Sequence, residues 1–531
     1  MFSTDIDYLC RAGISPAPSS MQPFRRDIRT GHIVLAGCLL TLLYALFSRG
    51  VYHPDEHFQI LEYARMRLFG TSPEELPWEY GLMMRPGFQP FIAYLAGWSL
   101  RAVGLYSSWT LAALLRLLSG ALSVTAVLFL YREIRREPHR EAEAGRVLAL
   151  SLLLWFMAYT HVRFSSETLS GNLLLLTVVC CMRFRRTGND SFGSGVLVGL
   201  LAGAAFVVRY QTGFALLGLG LWLMVFDRRI RHIAGILAGG TVMLGVGTLC
   251  DRWLYGRWTC APVNYFRENI VHAHAAGFGV DPWWYYLTAV PLEGIVLFGL
   301  PVLLAAGWFV YKNPRHIVVW TIVPFLVAHQ AVGHKEVRFL FPLLPFVPLF
   351  LAQAFGSLPL RWRRSRSAAV LLGTAVLLNI GIVLYNLTVS NTDIYFQRMA
   401  DRFCRHRERV VVLSLRSEKT YYAYPEDVIG PRTVTARFHM PDAFDYRSFD
   451  SEEELGREAE RLCRECTDVF LLTERPQPAL PETVRPDRIA WSPYPRWVTT
   501  HFNFNDWAGL SIRSKNIFRL SPTGAFTSRE E

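Results

Sequence analysis

The sequence predicts an all-α polytopic membrane protein of about eleven transmembrane helices, followed by a C-terminal α/β domain outside the membrane. Three observations carry this reading. Charged residues make up 18% of the chain and hydrophobic residues 51%, whereas soluble proteins carry about 25% charged residues. Twelve apolar runs approach or exceed the length needed to cross the hydrocarbon, roughly 20 residues for a helix. Beyond residue 388 the pattern changes: short apolar stretches such as Val410-Val411-Val412-Leu413 and Val469-Phe470-Leu471-Leu472 alternate with polar ones such as Ser451 to Glu460. That alternation suits a small α/β domain.

The apolar runs lie near 32–49, 87–105, 109–131, 146–162, 168–182, 192–208, 212–227, 232–250, 286–310, 316–333, 338–357 and 367–388. The first comes after Arg25, Arg26 and Arg29 and lacks a small-residue cleavage site, so it reads as a retained signal anchor. Five basic clusters punctuate the rest: Arg132–Arg140, Arg183–Arg186, Arg228–His232, Lys312–His316 and Arg361–Arg366. Short loops rich in Lys and Arg stay in the cytoplasm. All five clusters fall inside, together with the N-terminus, if the 87–105 run does not span. That run opens with Arg85-Pro86-Gly87, contains Pro90 and carries Arg101, which suits an interfacial or re-entrant helix. The chain then divides into a cytoplasmic segment 1–31, a transmembrane domain 32–388 with its first outer loop at 50–108, and a non-cytoplasmic domain 389–531.

The net charge of +12 sits in these clusters between apolar runs. It therefore points to the lipid bilayer, and no nucleic acid is expected as a partner. Cys38, Cys180, Cys181 and Cys250 lie in or at the ends of apolar runs and read as small buried residues. Cys404, Cys463 and Cys466 in the tail leave room for one disulfide.

Five segments then face outward: 50–108, 163–167, 209–211, 251–285 and 334–338. Together they hold most of the chain's distinctive polar residues. The first opens with His53-Pro54-Asp55-Glu56-His57-Phe58-Gln59. Asp55 and Glu56 there are either the acidic start of a helix or a catalytic pair placed at the headgroup level of a lipid-linked substrate. Phe58, Leu61, Ala64 and Leu68 make one apolar face, so this helix is expected to lie on the membrane surface. His53 and His57 have the spacing of a helical metal pair, but no third ligand accompanies them, and neither a metal nor another cofactor is expected. Gly333-His334-Lys335-Glu336-Val337-Arg338 places two cations outside, against the positive-inside trend. Either Glu336 neutralises them locally, or Lys335 and Arg338 clamp a phosphate. Arg163, in Arg163-Phe164-Ser165-Ser166-Glu167, and Arg209, beside Tyr210 and Gln211, repeat the pattern and favour an anionic lipid ligand. The aromatics around Trp283 suit an interfacial belt or a sugar-stacking surface.

Taken together, His53-Pro54-Asp55-Glu56 with Phe58-Gln59, Trp78-Glu79-Tyr80 with Arg85, Pro282-Trp283-Trp284-Tyr285-Tyr286, and His334-Lys335-Glu336 with Arg338-Phe339 resemble one family. It is glycosyltransferase family 22 of the GT-C superfamily, the lipid-phosphate-mannose-dependent mannosyltransferases of N-glycan precursor and GPI-anchor assembly. The likeness runs in order through roughly residues 30–350. Arg163-Phe164-Ser165-Ser166-Glu167 matches the family's Ser/Thr-rich loop only loosely, and Pro86 after Arg85 departs from many members.

The resemblance implies a GT-C-type fold and places Asp55 at the catalytic carboxylate, with Glu56 beside it. His53, Gln59, Arg85, Arg163, Glu167, Arg209, Gln211, Trp283, His334, Lys335, Glu336 and Arg338 become candidate substrate-binding residues. The donor would be a polyprenyl- or dolichyl-phosphate sugar and the acceptor a glycan or glycolipid. One base and a phosphate leaving group imply inversion. The alternative is a transporter or lipid-linked sugar flippase; such a protein should show internal repeats and charges near the bilayer centre, and neither is seen. The arginine-rich composition and compact loops favour a bacterial inner membrane over an endoplasmic reticulum membrane. Cysteine labelling in intact vesicles should place 53–60 and 334–338 on one face and 132–140 and 361–366 on the other. Labelling that separates residues 53 and 334 would break the single-site reading.

Overall fold

The computed structural model describes residues 21–48, 53–388, 410–415, 423–424, 434–435, 438–439, 444–465, 468–491 and 516–523. Every apolar run of the sequence is helical there. Seven helices are long and apolar enough to cross a membrane among the described residues: Thr30–Phe47, Ser108–Arg135, Ser166–Arg186, Ile230–Tyr255, Ile295–Lys312, Val337–Ser357 and Arg366–Leu387. The pair Glu141–Leu153 and Trp155–His161, bent by 63°, makes an eighth if counted as one span. Phe192–Val208 and Ile317–Ala331 are shorter apolar helices. The chain is thus a multi-pass membrane protein. The 87–105 run forms the helix Phe88–Ala102, whose 15 residues extend only about 22 Å, short of the hydrocarbon thickness.

Two features hold the helices in place. The Ser166–Arg186 helix is central, with 78% of its apolar stretch buried; Leu174, Leu175, Val178 and Val179 belong to the main core with Val127, Leu130, Phe346 and Phe350. The helices Phe192–Val208 and Ile230–Tyr255 meet backbone to backbone. A Cβ at Gly195 or Gly199 would lie 2.1 Å from the carbonyl oxygen of His232 or Ile236, and one at Gly235 or Gly239 would lie 2.2 Å from that of Phe192 or Val196. Small residues spaced by four allow this approach, and lipid supplies no hydrophobic drive to replace it.

The described tail contains a five-stranded mixed sheet in the order Phe444–Phe449, Val410–Leu415, Asp468–Thr473, Asn516–Pro522, Val484–Trp491. The first three strands are parallel, with Val410 opposite both Phe444 and Asp468. The helix Glu452–Arg464 makes the crossover and buries Leu455, Ala459 and Leu462 against Val411, Leu413, Val469 and Leu471. Cys404 and Cys466, two of the three cysteines considered for a disulfide, lie outside the described residues.

One expectation is corrected. The segment after Pro54 does not bury a single apolar face only. His57, Phe58, Tyr63, Ala64, Arg65 and Met66 are all buried, so the helix is enclosed around its circumference. Tyr63 and Met66 pack on Leu76 and Leu254, while Ile60, Leu61, Ala64 and Leu68 pack on Ala93, Leu111 and Leu115. A single-face pattern cannot reveal the tertiary cover over its polar side.

The glycine contact is testable. Gly199→Leu should lower the melting temperature and folded yield in detergent, because overpacking typically costs about 1–3 kcal/mol. Gly245→Leu, on the facing helix with nothing within 4 Å, should be tolerated. Equal tolerance of both would refute the backbone contact.

Candidate active site

The polar residues separated in sequence converge through one side chain, Arg338. It stands at the start of the 3-10 turn Val337–Phe346. Its Nη1 donates to Asp55 Oδ2 at 2.8 Å and to Glu167 Oε1 at 3.3 Å, and its Nη2 to Glu336 Oε1 at 3.1 Å. Arg338 Nε also pairs with Glu336. Glu167 Oε1 in turn accepts from Arg209 Nη1 at 2.7 Å, so the network runs from 55 to 338, 167 and 209. The sequence left a local Glu336 pair and a phosphate clamp as alternatives for Arg338. The structure forms the local pair and adds two carboxylates to it.

Asp55 Oδ1 lies 3.4 Å from His53 Nδ1. The Asp55 backbone N–H donates to that same Nδ1 at 3.2 Å, so a neutral His53 carries its hydrogen on Nε2, which faces Glu336 Oε2 at 3.6 Å. His334 Nε2 reaches Glu336 Oε1 at 3.1 Å. Burial pushes the Asp55 carboxyl up, but Arg338, followed by His53 and Arg85, more than offsets this and holds it well below the usual carboxylate range. Glu336 is likewise raised by burial and brought well below its ordinary value, chiefly by Arg338. Asp55 is therefore a carboxylate at neutral pH, with 30% of its side chain accessible.

A second cluster adjoins the first. Arg85 Nη2 donates to Glu79 Oε1 at 2.5 Å, and Gln59 Nε2 lies 3.2 Å from the same oxygen. Burial opposes the charge on Arg85, but Glu79 and Asp55 raise its pKa above the usual value. Its guanidinium carbon sits 5.6 Å from the centre of the Tyr265 ring, and the Tyr265 hydroxyl bonds Gln211. Two cavities open around this frame. The larger, about 480 Å³ when its mouth into open solvent is counted, is lined by Asp55, Glu56, Gln59, Arg85, Gln89, Glu167, Arg209, Tyr210, Gln211 and Tyr265, among others. The smaller, about 280 Å³ on the same basis, is lined by His53, Asp55, Glu56, Thr160, Arg163, Glu167, Thr168 and Arg338, among others. Asp55, Glu56 and Glu167 stand on the wall that the cavities share.

Not every candidate joins this frame. Arg163, 2% exposed, lies under the second cavity, with Nη2 3.1 Å from Ser48 Oγ and its guanidinium 4.2 Å from the centre of the Tyr159 ring. Lys335 lines neither cavity: its Nζ donates to the carbonyls of Asp281 and Gly333 at 3.1 and 3.3 Å, and so knits two loops together. Trp283, 66% exposed, also lies off the cavity walls. His53 and His57 part company. His57 turns into the protein and bonds Glu62 at 2.6 Å.

Sequence reasoning left out Glu79, Gln89, Tyr265 and Thr160 as site residues. Gln89 is 1% exposed in a mostly apolar helix and donates to the Phe164 carbonyl at 2.8 Å. A buried amide of that kind is the one signal that could have marked it.

Comparison with known proteins fits this geometry. The model of the Alg9-like mannosyltransferase family matches residues 32–425, a stretch that holds every one of the site residues above. The chain belongs to that family. It is 27% identical to mouse GPI alpha-1,2-mannosyltransferase 3 over 355 residues, covering 65% of this chain and 62% of the relative. It is 29% identical to GPI mannosyltransferase 3 of Trypanosoma brucei over 412 residues, covering 66% and 68%. The chain thus spans less than two thirds of the mouse relative. Among solved structures, ArnT from Cupriavidus metallidurans bound to undecaprenyl phosphate aligns with a TM-score of 0.50 at 14% identity, covering 92% of this chain and 98% of that one. At that identity the likeness is one of fold. It extends over nearly the whole chain, the tail included, beyond the family match.

Removing Arg338 should expose the dependence of the site on it. Arg338→Gln leaves buried Glu167 and half-buried Asp55 and Glu336 facing one another without their shared counter-charge, so Tm should drop. The sign of the pH effect comes from burial, which raises Asp55 once Arg338 is gone. Residual activity should then increase with pH between 5 and 8, whereas the parent shows no Asp55 titration in that window. Parallel pH–rate profiles would contradict the arrangement.

Proposed function

We propose that the chain is a mannosyltransferase moving mannose from a polyprenyl- or dolichyl-phosphate donor to a glycan or glycolipid acceptor, with inversion, at the non-cytoplasmic membrane face. The observation that carries this reading is an ionised carboxylate, Asp55, on the wall between two cavities that also hold buried guanidiniums. The larger of the two cavities, with Arg85 and Arg209 on its wall, takes the phosphosugar. Guanidinium groups such as theirs pair with phosphate oxygens. Gln59, Gln211 and Tyr265 offer partners to sugar hydroxyls. The smaller cavity admits the acceptor hydroxyl to the other side of Asp55.

In the reaction the acceptor oxygen forms a bond to the anomeric carbon as the bond from that carbon to the phosphate oxygen breaks. Asp55 takes the hydroxyl proton. The phosphate leaves with the electron pair, and its charge is met by the two arginines. Two adjoining polar chambers at a carboxylate suit group transfer better than the passage a flippase needs. Eleven spans, with 389–531 on the same side as the site, complete the topology. The names and the animal and protist sources of the relatives favour a GPI-type glycolipid acceptor, and with it the endoplasmic reticulum over a bacterial inner membrane.

The test uses purified protein in liposomes with dolichyl-phosphate-[3H]mannose and glycolipid acceptors, products being read by thin-layer chromatography. Asp55→Asn should fold normally and lose about 10²–10⁴-fold in turnover. Arg209→Ala should weaken donor use by about ten- to a hundredfold, as expected for a charge-assisted contact of roughly 1.5–3 kcal/mol. Full activity of Asp55→Asn would sink the mechanism, and translocation of the donor without transfer would favour the flippase.

A further inference from the structure

The two consecutive acids Asp55 and Glu56 both line both cavities. The chain continues from them not as α-helix but as a π-turn, His57–Leu61, closed by the Glu62 N–H on the His57 carbonyl. Single π-turns inside helices are uncommon and need an external reason to persist. Here the side chains match the backbone. His57 Nε2 bonds Glu62 Oε1 at 2.6 Å, across a five-residue spacing that would put the two on different faces of an α-helix.

That same Glu62 oxygen accepts a second group from far along the chain, the backbone N–H of Phe438 at 2.8 Å. Phe438 is 3% exposed and packs among Ile60, Leu61, Ala64 and Leu115. Its neighbour His439 stacks on Trp109, ring centres 4.0 Å apart and planes within 15°. His439 Nδ1 lies 2.9 Å from Ser108 Oγ. This two-residue turn therefore spans the gap between the helix that carries the acids and the start of the Ser108–Arg135 helix. It lies beyond the stretch that matches the family, which ends at 425.

We propose that Phe438 and His439 are positioning residues for the reaction. Seated under the π-turn, they hold it closed, and the closed turn aims Asp55 and Glu56 at the cavities. The tail thereby becomes a working part of the membrane-embedded site. The inference rests on the transfer reaction proposed above only for its kinetic arm; its structural arm stands independently.

The experiment compares full-length wild-type protein with His439→Ala and with Glu62→Ala in detergent. Hydrogen exchange followed by mass spectrometry should show faster exchange of amides 57–62 in both variants, with the Ser166–Arg186 helix unchanged. In the mannose-transfer assay kcat should fall about ten- to a hundredfold, the usual penalty for a misplacement of about 1 Å, while KM for the lipid-phosphate donor stays constant. His439→Phe, which keeps the stack on Trp109, should recover most of kcat. Unchanged exchange at 57–62 in both variants overturns the coupling. Faster exchange with unaltered kcat overturns the positioning role, leaving a merely structural contact. If the wild-type protein transfers no mannose, the reaction assignment fails and the exchange data alone decide the coupling.

Discussion

A single guanidinium organises the site. Arg338 is itself buried and meets three carboxylates that arrive from residues 55, 167 and 336. Two constraints make this arrangement reciprocal. A buried cation is costly unless it is paired and hydrogen-bonded, and buried acids cannot stay ionised side by side without a shared counter-charge. Arginine suits the task because its planar fork offers donors in several directions and does not deprotonate. Each carboxylate is thus both a partner of Arg338 and a tether for the segment that bears it.

The scaffold makes this convergence possible in a membrane. Glu167 begins the most enclosed of the long helices, so its carboxylate is delivered by the part of the fold least free to move. Packed glycines clamp the Phe192–Val208 helix, whose end presents Arg209, to the Ile230–Tyr255 helix. That second helix places Asp251, whose carboxylate accepts from Gly87 N–H at 2.7 Å, and Tyr255, whose hydroxyl donates to the Arg85 carbonyl. Backbone contacts between these two helices are in this way transmitted to the two cationic side chains of the larger cavity. Polar groups lie where protein, rather than lipid, surrounds them.

For the glycosyl transfer proposed above, the arrangement offers two separate groups. A carboxylate whose proton affinity is kept low stays ionised and ready to accept a proton as the alcohol oxygen commits to bonding. On the side proposed for the phosphate stand the guanidiniums of Arg85 and Arg209. Asp55 stands on the wall between the two cavities, where the surrounding protein leaves its charge less screened than in open water.

Much of this was legible in the chain itself. Long apolar runs, the scarcity of charge and the placement of arginine clusters dictate a multi-pass protein, because lipid tolerates neither exposed backbone nor scattered charge. The motifs around Asp55, Arg85 and Glu336–Arg338 marked the family and part of the cavity lining, since those residue types sit where an apolar solvent would not otherwise keep them. Other decisions belonged to tertiary structure. Whether Arg338 would pair only with nearby Glu336 or reach Asp55, and that Lys335 would direct its charge to loop carbonyls instead of the cavity, depend on contacts between segments far apart in the chain. The enclosure of the helix after Pro54 was equally hidden, because its polar face is covered by other parts of the chain, among them two residues near 438. Periodicity reports how a segment meets a solvent or a core; it carries no record of which distant segment will supply the cover.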